Sequence, residues 1–133
     1  MLNRAETPNQ NDPTEFGIIE NEIDETTSVV AVSGELDLTT APRLKWMLHD
    51  LLHAGRTKQV VDLTETTFMD STALGVLVGV NRSLSEDMSL VIVCSRPNVL
   101  RIFELSGMDG VFTIVPTLDE ALQHARGQAA KAS

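Results

Sequence analysis

Apolar and polar positions alternate with a period of two over residues 16–23 and 28–34, the spacing of strands with one buried face, and Asp24-Glu25-Thr26 between them predicts a hairpin turn. A helical period takes over from about Ala41 to Ala54, where Pro42 suits a first turn. Strand 59–64, helix 71–86, strand 89–94, helix 97–105, strand 112–115 and helix 118–126 complete the predicted order ββαβαβαβα. Pro97 opens the third helix and Gly107 stops it, while Thr117 with Glu120 forms a capping box for the last. Several of these strands need crossover connections, so the fold class is α/β: one domain, a mixed, mostly parallel β-sheet with covering α-helices. Residues 1–15 are polar, hold two prolines and predict a disordered N-terminal tail; 16–126 form the domain and 127–133 a frayed C-terminal tail.

The most informative stretch is 68–80, FMDSTALGVLVGV, in which a polar Asp-Ser-Thr step runs straight into an apolar run from Ala73 to Val80. That run is far shorter than the about 20 residues a bilayer requires, so it buries itself inside the fold and holds the polar step at a fixed surface point. On a helix, Asp70 is the N-cap and Ser71 and Thr72 occupy the first turn, where unpaired N–H groups and the positive end of the dipole would receive a phosphate well. Helical projection puts Ala73, Leu74, Val76, Leu77, Val80 and Leu84 on the core face and Ser71, Gly75, Val78 and Arg82 on the other. Gly75 and Gly79 each cost about 1 kcal/mol relative to Ala in a helix. Their presence predicts a close approach to the backbone, in the simplest case by a neighbouring strand.

This stretch resembles the phosphoacceptor motif of the STAS domain family, the bacterial anti-sigma factor antagonists and related cytoplasmic domains of sulfate transporters. Val32-Ser33-Gly34-Glu35-Leu36-Asp37 with Thr40-Ala41 resembles the family's second strand and first-helix start. Val60-Val61-Asp62-Leu63 is similar to the strand leading to the phosphoacceptor loop, and Leu100 to Gly107 to the third-helix segment. The resemblance covers about residues 16–126 in the family's order. It implies that Ser71 is the phosphorylated residue, with Thr72 as fallback. It also implies a partner-binding surface drawn from Gly34, Glu35, Asp37, Asp70, Thr72, Gly75, Val78 and Arg82. The partners it implies are an anti-sigma factor that is also a serine kinase, bound when Ser71 is unmodified and released on phosphorylation, and a metal-dependent serine phosphatase that resets the switch. No cofactor is implied.

Charge narrows the classes further. Ten basic and nineteen acidic side chains leave −9, with no Lys/Arg cluster, which argues against nucleic-acid binding and suits a basic protein partner as well as plain solubility. The single Cys94 is expected buried and fits a reducing cytoplasm. The segment MLNRAETPNQNDPTE has no apolar signal core, so neither export nor a membrane anchor is expected, and the localisation read is cytoplasmic.

Other constellations are weaker. His49 and His53 have the i, i+4 spacing of zinc-binding HExxH helices with Asp50 in the Glu position, but the only other histidine is His124, and a solvated helix face is the simpler reading. Asp62, read near the end of a central strand, invites an aspartyl-phosphate receiver, yet the last strand runs Thr113-Ile114-Val115-Pro116-Thr117 with no lysine directly after it. Ser71 lacks the glycines of a nucleophile elbow, and no phosphate-binding loop occurs. The sequence therefore predicts a non-enzymatic switch. Its rival is a non-switching STAS scaffold or ligand-binding module in which Ser71 serves only the helix start. Trp46, projected outward, is open to a partner, to weak homodimerisation, to cover by the N-terminal tail or to a place at a sheet edge.

Overall fold

A computed structural model describes residues 4–6 and 15–127, with only the backbone described for 4–6. Among these residues six strands form one sheet in chain order: β1 (Arg4–Glu6), β2 (Gly17–Glu22), β3 (Thr27–Leu36), β4 (Lys58–Met69), β5 (Ser89–Val93) and β6 (Thr113–Val115). The helices are α1 (Ala41–His53), α2 (Ser71–Arg82), α3 (Pro97–Ser106) and α4 (Leu118–Ala125), with a short 3-10 turn at Met108–Gly110. The first two pairings are antiparallel and the remaining three parallel, so the α/β mixed-sheet expectation holds.

Topology decides where the helices go. From β3 onward each parallel strand is laid beside the last in the same direction, and right-handed crossovers then put α1, α2 and α3 on one face. Ala41, Leu44, Leu48, Leu77, Val99 and Phe103 accordingly meet Ile18, Val30, Val32, Val61 and Ile92 in the main core. The rings of Phe103 and Phe112 meet edge to face, at 85° to each other with centres 5.7 Å apart. α4 leaves the last strand and covers the opposite face, where Ala121 and Ala125 pack on Val29, Val60, Val91, Val93 and Val115. Cys94 is buried at the end of β5, and that burial raises its thiol pKa.

The start and stop signals act as read. Pro42 and Pro97 sit in first turns, and Gly107 caps α3 in the left-handed region at φ 78°, where a side chain would be strained. Thr117 accepts the Glu120 amide at 3.2 Å and its hydroxyl donates to the Glu120 carboxylate at 3.0 Å. In the β2–β3 hairpin, the Asp24 carboxylate accepts the amides of Thr26 and Thr27 at 3.0 and 2.8 Å.

Several details differ from the sequence reading. Within the expected disordered tail, Arg4–Glu6 pairs as a strand on the edge of β2, because backbone pairing to an open edge needs no apolar side chains; residues 1–3, 7–14 and 128–133 of the expected tails lie outside the described residues. β4 runs to Met69 instead of ending at 64, which puts Asp62 in mid-strand, its carboxylate accepting the Thr64 amide at 3.0 Å. Polar Thr64 to Thr67 obscured that extension. The strand survives there through irregularities in its register with β3, and the buried Thr66 hydroxyl donates to the Val32 carbonyl at 2.9 Å across the gap. α2 stops at Arg82, with Ser83 as its C-cap, instead of reaching 86.

Candidate functional site at the start of the second helix

The site is built where β3 and β4 end side by side. Glu35 is in register with Phe68 and Leu36 with Met69, so the loops into α1 and α2 leave from neighbouring positions. The Asp70 amide donates to the Leu36 carbonyl at 3.2 Å, and the Asn98 side-chain amide donates to the Thr67 carbonyl at 2.9 Å, pinning the second loop from β3 and from α3.

Asp70 is extended, and its carboxylate accepts the Ala73 amide at 3.0 Å, the N-cap expected of it. Ser71 and Thr72 follow as exposed first-turn residues whose amides have no carbonyl a turn earlier to bond. Beyond the Asp70 cap no acidic side chain lies within that turn, so its remaining amides and the dipole's positive end face outward beside a single carboxylate.

The neighbouring loop is ordered by its own polar groups. The Asp37 carboxylate accepts the Thr39 hydroxyl at 2.8 Å and the amides of Thr39 and Thr40 at 3.0 and 3.2 Å. These bonds, led by that of the Thr39 hydroxyl, hold its pKa below the usual 3.8. The Thr40 hydroxyl accepts the Asp37 amide at 2.8 Å and donates to the Glu35 carbonyl at 2.9 Å, closing the loop on the end of β3.

Of the residues the sequence singles out, Glu35, Ser71, Thr72, Gly75 and Arg82 are exposed, and Asp37, Asp70 and Val78 are half-buried. Gly34 is buried inside β3 at φ 82°, beside a register shift; it shapes the strand and presents no side chain. The approach expected at Gly75 and Gly79 is not made by a neighbouring strand, because a Cβ added at either meets nothing within 4 Å. Both glycines instead line an open groove of about 440 Å³ between α1 and α2, with Lys45, His49 and Thr72 along it. His49, read as a solvated residue, is half-buried there.

Two residues were missed. Leu38, in the loop before α1, is 68 % exposed, and Phe68, two residues before the cap, is 45 % exposed. Loop prediction gave Leu38 no face, and ending the strand at 64 hid Phe68. Trp46 is 65 % exposed, about 100° round α1 from Lys45. The histidine pair gains no third ligand, since no group of three metal-ligating side chains comes together among the described residues; His53 Nδ1 lies 2.8 Å from the His49 carbonyl oxygen instead. Among the described residues, no helix is long and apolar enough to cross a membrane.

Comparison with known proteins gives this geometry a family. The STAS domain profile matches residues 19–121. An anti-sigma-B factor antagonist of Listeria monocytogenes is 37% identical over 86 residues, covering 64% of this chain and 75% of its own. The anti-sigma-F factor antagonist RsfB of Mycobacterium tuberculosis is 28% identical over 100 residues, 75% of this chain and 82% of its own. The crystal structure of an anti-sigma factor antagonist from Mycobacterium paratuberculosis superposes with a TM-score of 0.79 at 30% identity, covering 86% of this chain and 97% of that one. With the profile matched from β2 into α4, the chain belongs to the STAS domain family, and its relatives there are bacterial anti-sigma factor antagonists.

Proposed function

We propose that this protein is a phosphorylation-controlled anti-sigma factor antagonist. Unmodified, it docks through the start of α2 and the adjoining loop on an anti-sigma factor that is also an ATP-dependent serine kinase. A sigma factor is thereby freed. The observation that carries this reading is the placement of Ser71: exposed, directly after the Asp70 cap, and on a loop pinned from two sides. A kinase can reach the hydroxyl without unfolding anything.

Phosphorylation adds about −1.5 to −2 charge at that point. The first-turn amides and the helix dipole stabilise it in the free protein. In a complex the same charge must be desolvated beside Asp70, against a surface fitted to a neutral hydroxyl, and the partner is released. Leu38, in the adjoining loop, and Phe68, at the end of β4, are exposed and supply apolar contact, while Gly75 lets the partner approach the α2 backbone. A separate serine phosphatase resets the switch, and the whole cycle belongs to the cytoplasm. The protein performs no catalysis in it and requires no cofactor.

The test is to incubate the protein and Ser71→Ala with ATP and an extract of the bacterium that encodes it, then map phosphate by mass spectrometry. Phosphate on Ser71, absent from the variant, is the expected result. An unlabelled protein beside a labelled control antagonist sinks the reading and favours a non-switching scaffold or ligand-binding module.

A further inference from the structure

The groove between α1 and α2 stands out by its charge. The chain carries −9 overall, yet the titratable residues lining the groove are Lys45 and His49, and the adjoining cavity of about 250 Å³ that shares His49 adds His53. Among the described residues no carboxylate lines either space. The opposite wall is α2, whose Gly75 and Gly79 lie one turn apart, exposed, with nothing within 4 Å of where a Cβ would stand. Two glycines in a helix interior weaken it, and no packing among the described residues uses the space they leave. Glycines four apart are what let a second helix come close to the backbone.

We infer that the α1–α2 groove receives an acidic helical segment of the docking partner, whose backbone crosses α2 at Gly75 and Gly79 while its carboxylates meet Lys45 and His49. The inference rests on the proposed switch and names the chemistry that the switch's partner must carry. Lys45 is exposed at the rim and His49 half-buried, so a carboxylate reaching them trades water for a charge-assisted contact. Thr72 also lines this groove, whereas Ser71 does not. A bound segment therefore sits beside the phosphoacceptor and leaves its hydroxyl to the kinase.

The test measures the initial rate of Ser71 phosphorylation in the same ATP-supplemented extract, using the full chain and its variants. Gly79→Leu fills the groove, and Gly79→Ala is a milder second variant. Lys45→Glu and His49→Glu reverse the local charge, while Lys45→Arg keeps it. Circular dichroism melts establish that each is folded. We expect Gly79→Leu, Lys45→Glu and His49→Glu to slow labelling about tenfold, Gly79→Ala to slow it less, and Lys45→Arg to match wild type. Wild-type rates in all the folded variants overturn the groove while leaving the switch standing. Slowing by Gly79→Leu alone means a neutral occupant and overturns the acidic one, as does a Lys45→Arg rate as low as that of Lys45→Glu. An unlabelled wild type takes down the switch and the groove together.

Discussion

The Asp70 backbone amide donates to the Leu36 carbonyl oxygen at 3.2 Å, so the residue capping α2 is tied to the strand that leads into the Asp37 loop. One residue thus holds two elements: its amide fixes the loop to β3 and its carboxylate starts the helix through Ala73.

Asp70→Ala keeps the first bond and loses the second. Loss of an N-cap side chain costs about 1 kcal/mol, read as a lower urea midpoint at unchanged m-value. Asp70→Asn retains an acceptor oxygen and is expected to stay near wild type. If both variants fall equally, the carboxylate matters through its charge and not through the cap.

Thr40→Val tests the second loop. The hydroxyl accepts the Asp37 amide and donates to the Glu35 carbonyl, and an isosteric methyl removes both bonds. A loss of about 1–2 kcal/mol is expected in denaturant melts. Faster amide exchange is expected at Asp37, and no change in α4.

Gly75→Ala and Gly79→Ala should stabilise the free protein by about 0.5–1 kcal/mol each, because alanine favours the helix and its methyl enters open space. In the proposed switch the same substitutions weaken partner docking. Gly75→Glu weakens it further with the circular dichroism spectrum intact. A fall in melting temperature for the alanine variants would show that the glycines serve internal packing.

Acid should loosen the two carboxylate-organised turns. The Asp37 pKa is lowered chiefly by the Thr39 hydroxyl, and that of Asp24 chiefly by the Thr26 amide. A carboxylate whose folded pKa lies below its unfolded value contributes fully above about pH 4, and that contribution is lost as pH falls through the folded pKa. Asp37→Asn, which keeps an acceptor but cannot titrate, should therefore lose less stability than wild type between about pH 5.5 and pH 3. Equal losses would remove Asp37 from the account.

Ser71→Asp places charge where the phosphate would go, and Ser71→Ala removes the acceptor. Binding to the anti-sigma kinase, read by calorimetry or size exclusion, is expected to persist in the alanine variant and to drop about tenfold or more in the aspartate variant. Similar affinities for the two would exclude charge as the release mechanism.

Local pattern determined a great deal of this protein by itself. Period and punctuation located α1, α3 and α4 and the hairpin at Asp24, because caps, prolines and stop glycines act within a few residues of where they stand. The cap at Asp70 and the exposed hydroxyl after it were legible for the same reason. What only the tertiary structure decided depends on neighbours distant in the chain. The polar end of β4 is a strand because β3 lies beside it and Thr66 reaches Val32; Arg4–Glu6 is a strand because β2 has a free edge. The exposure of Phe68, the burial of Gly34 and the basic groove over Gly75 and Gly79 follow from which elements the topology sets side by side, and no window of sequence contains both partners.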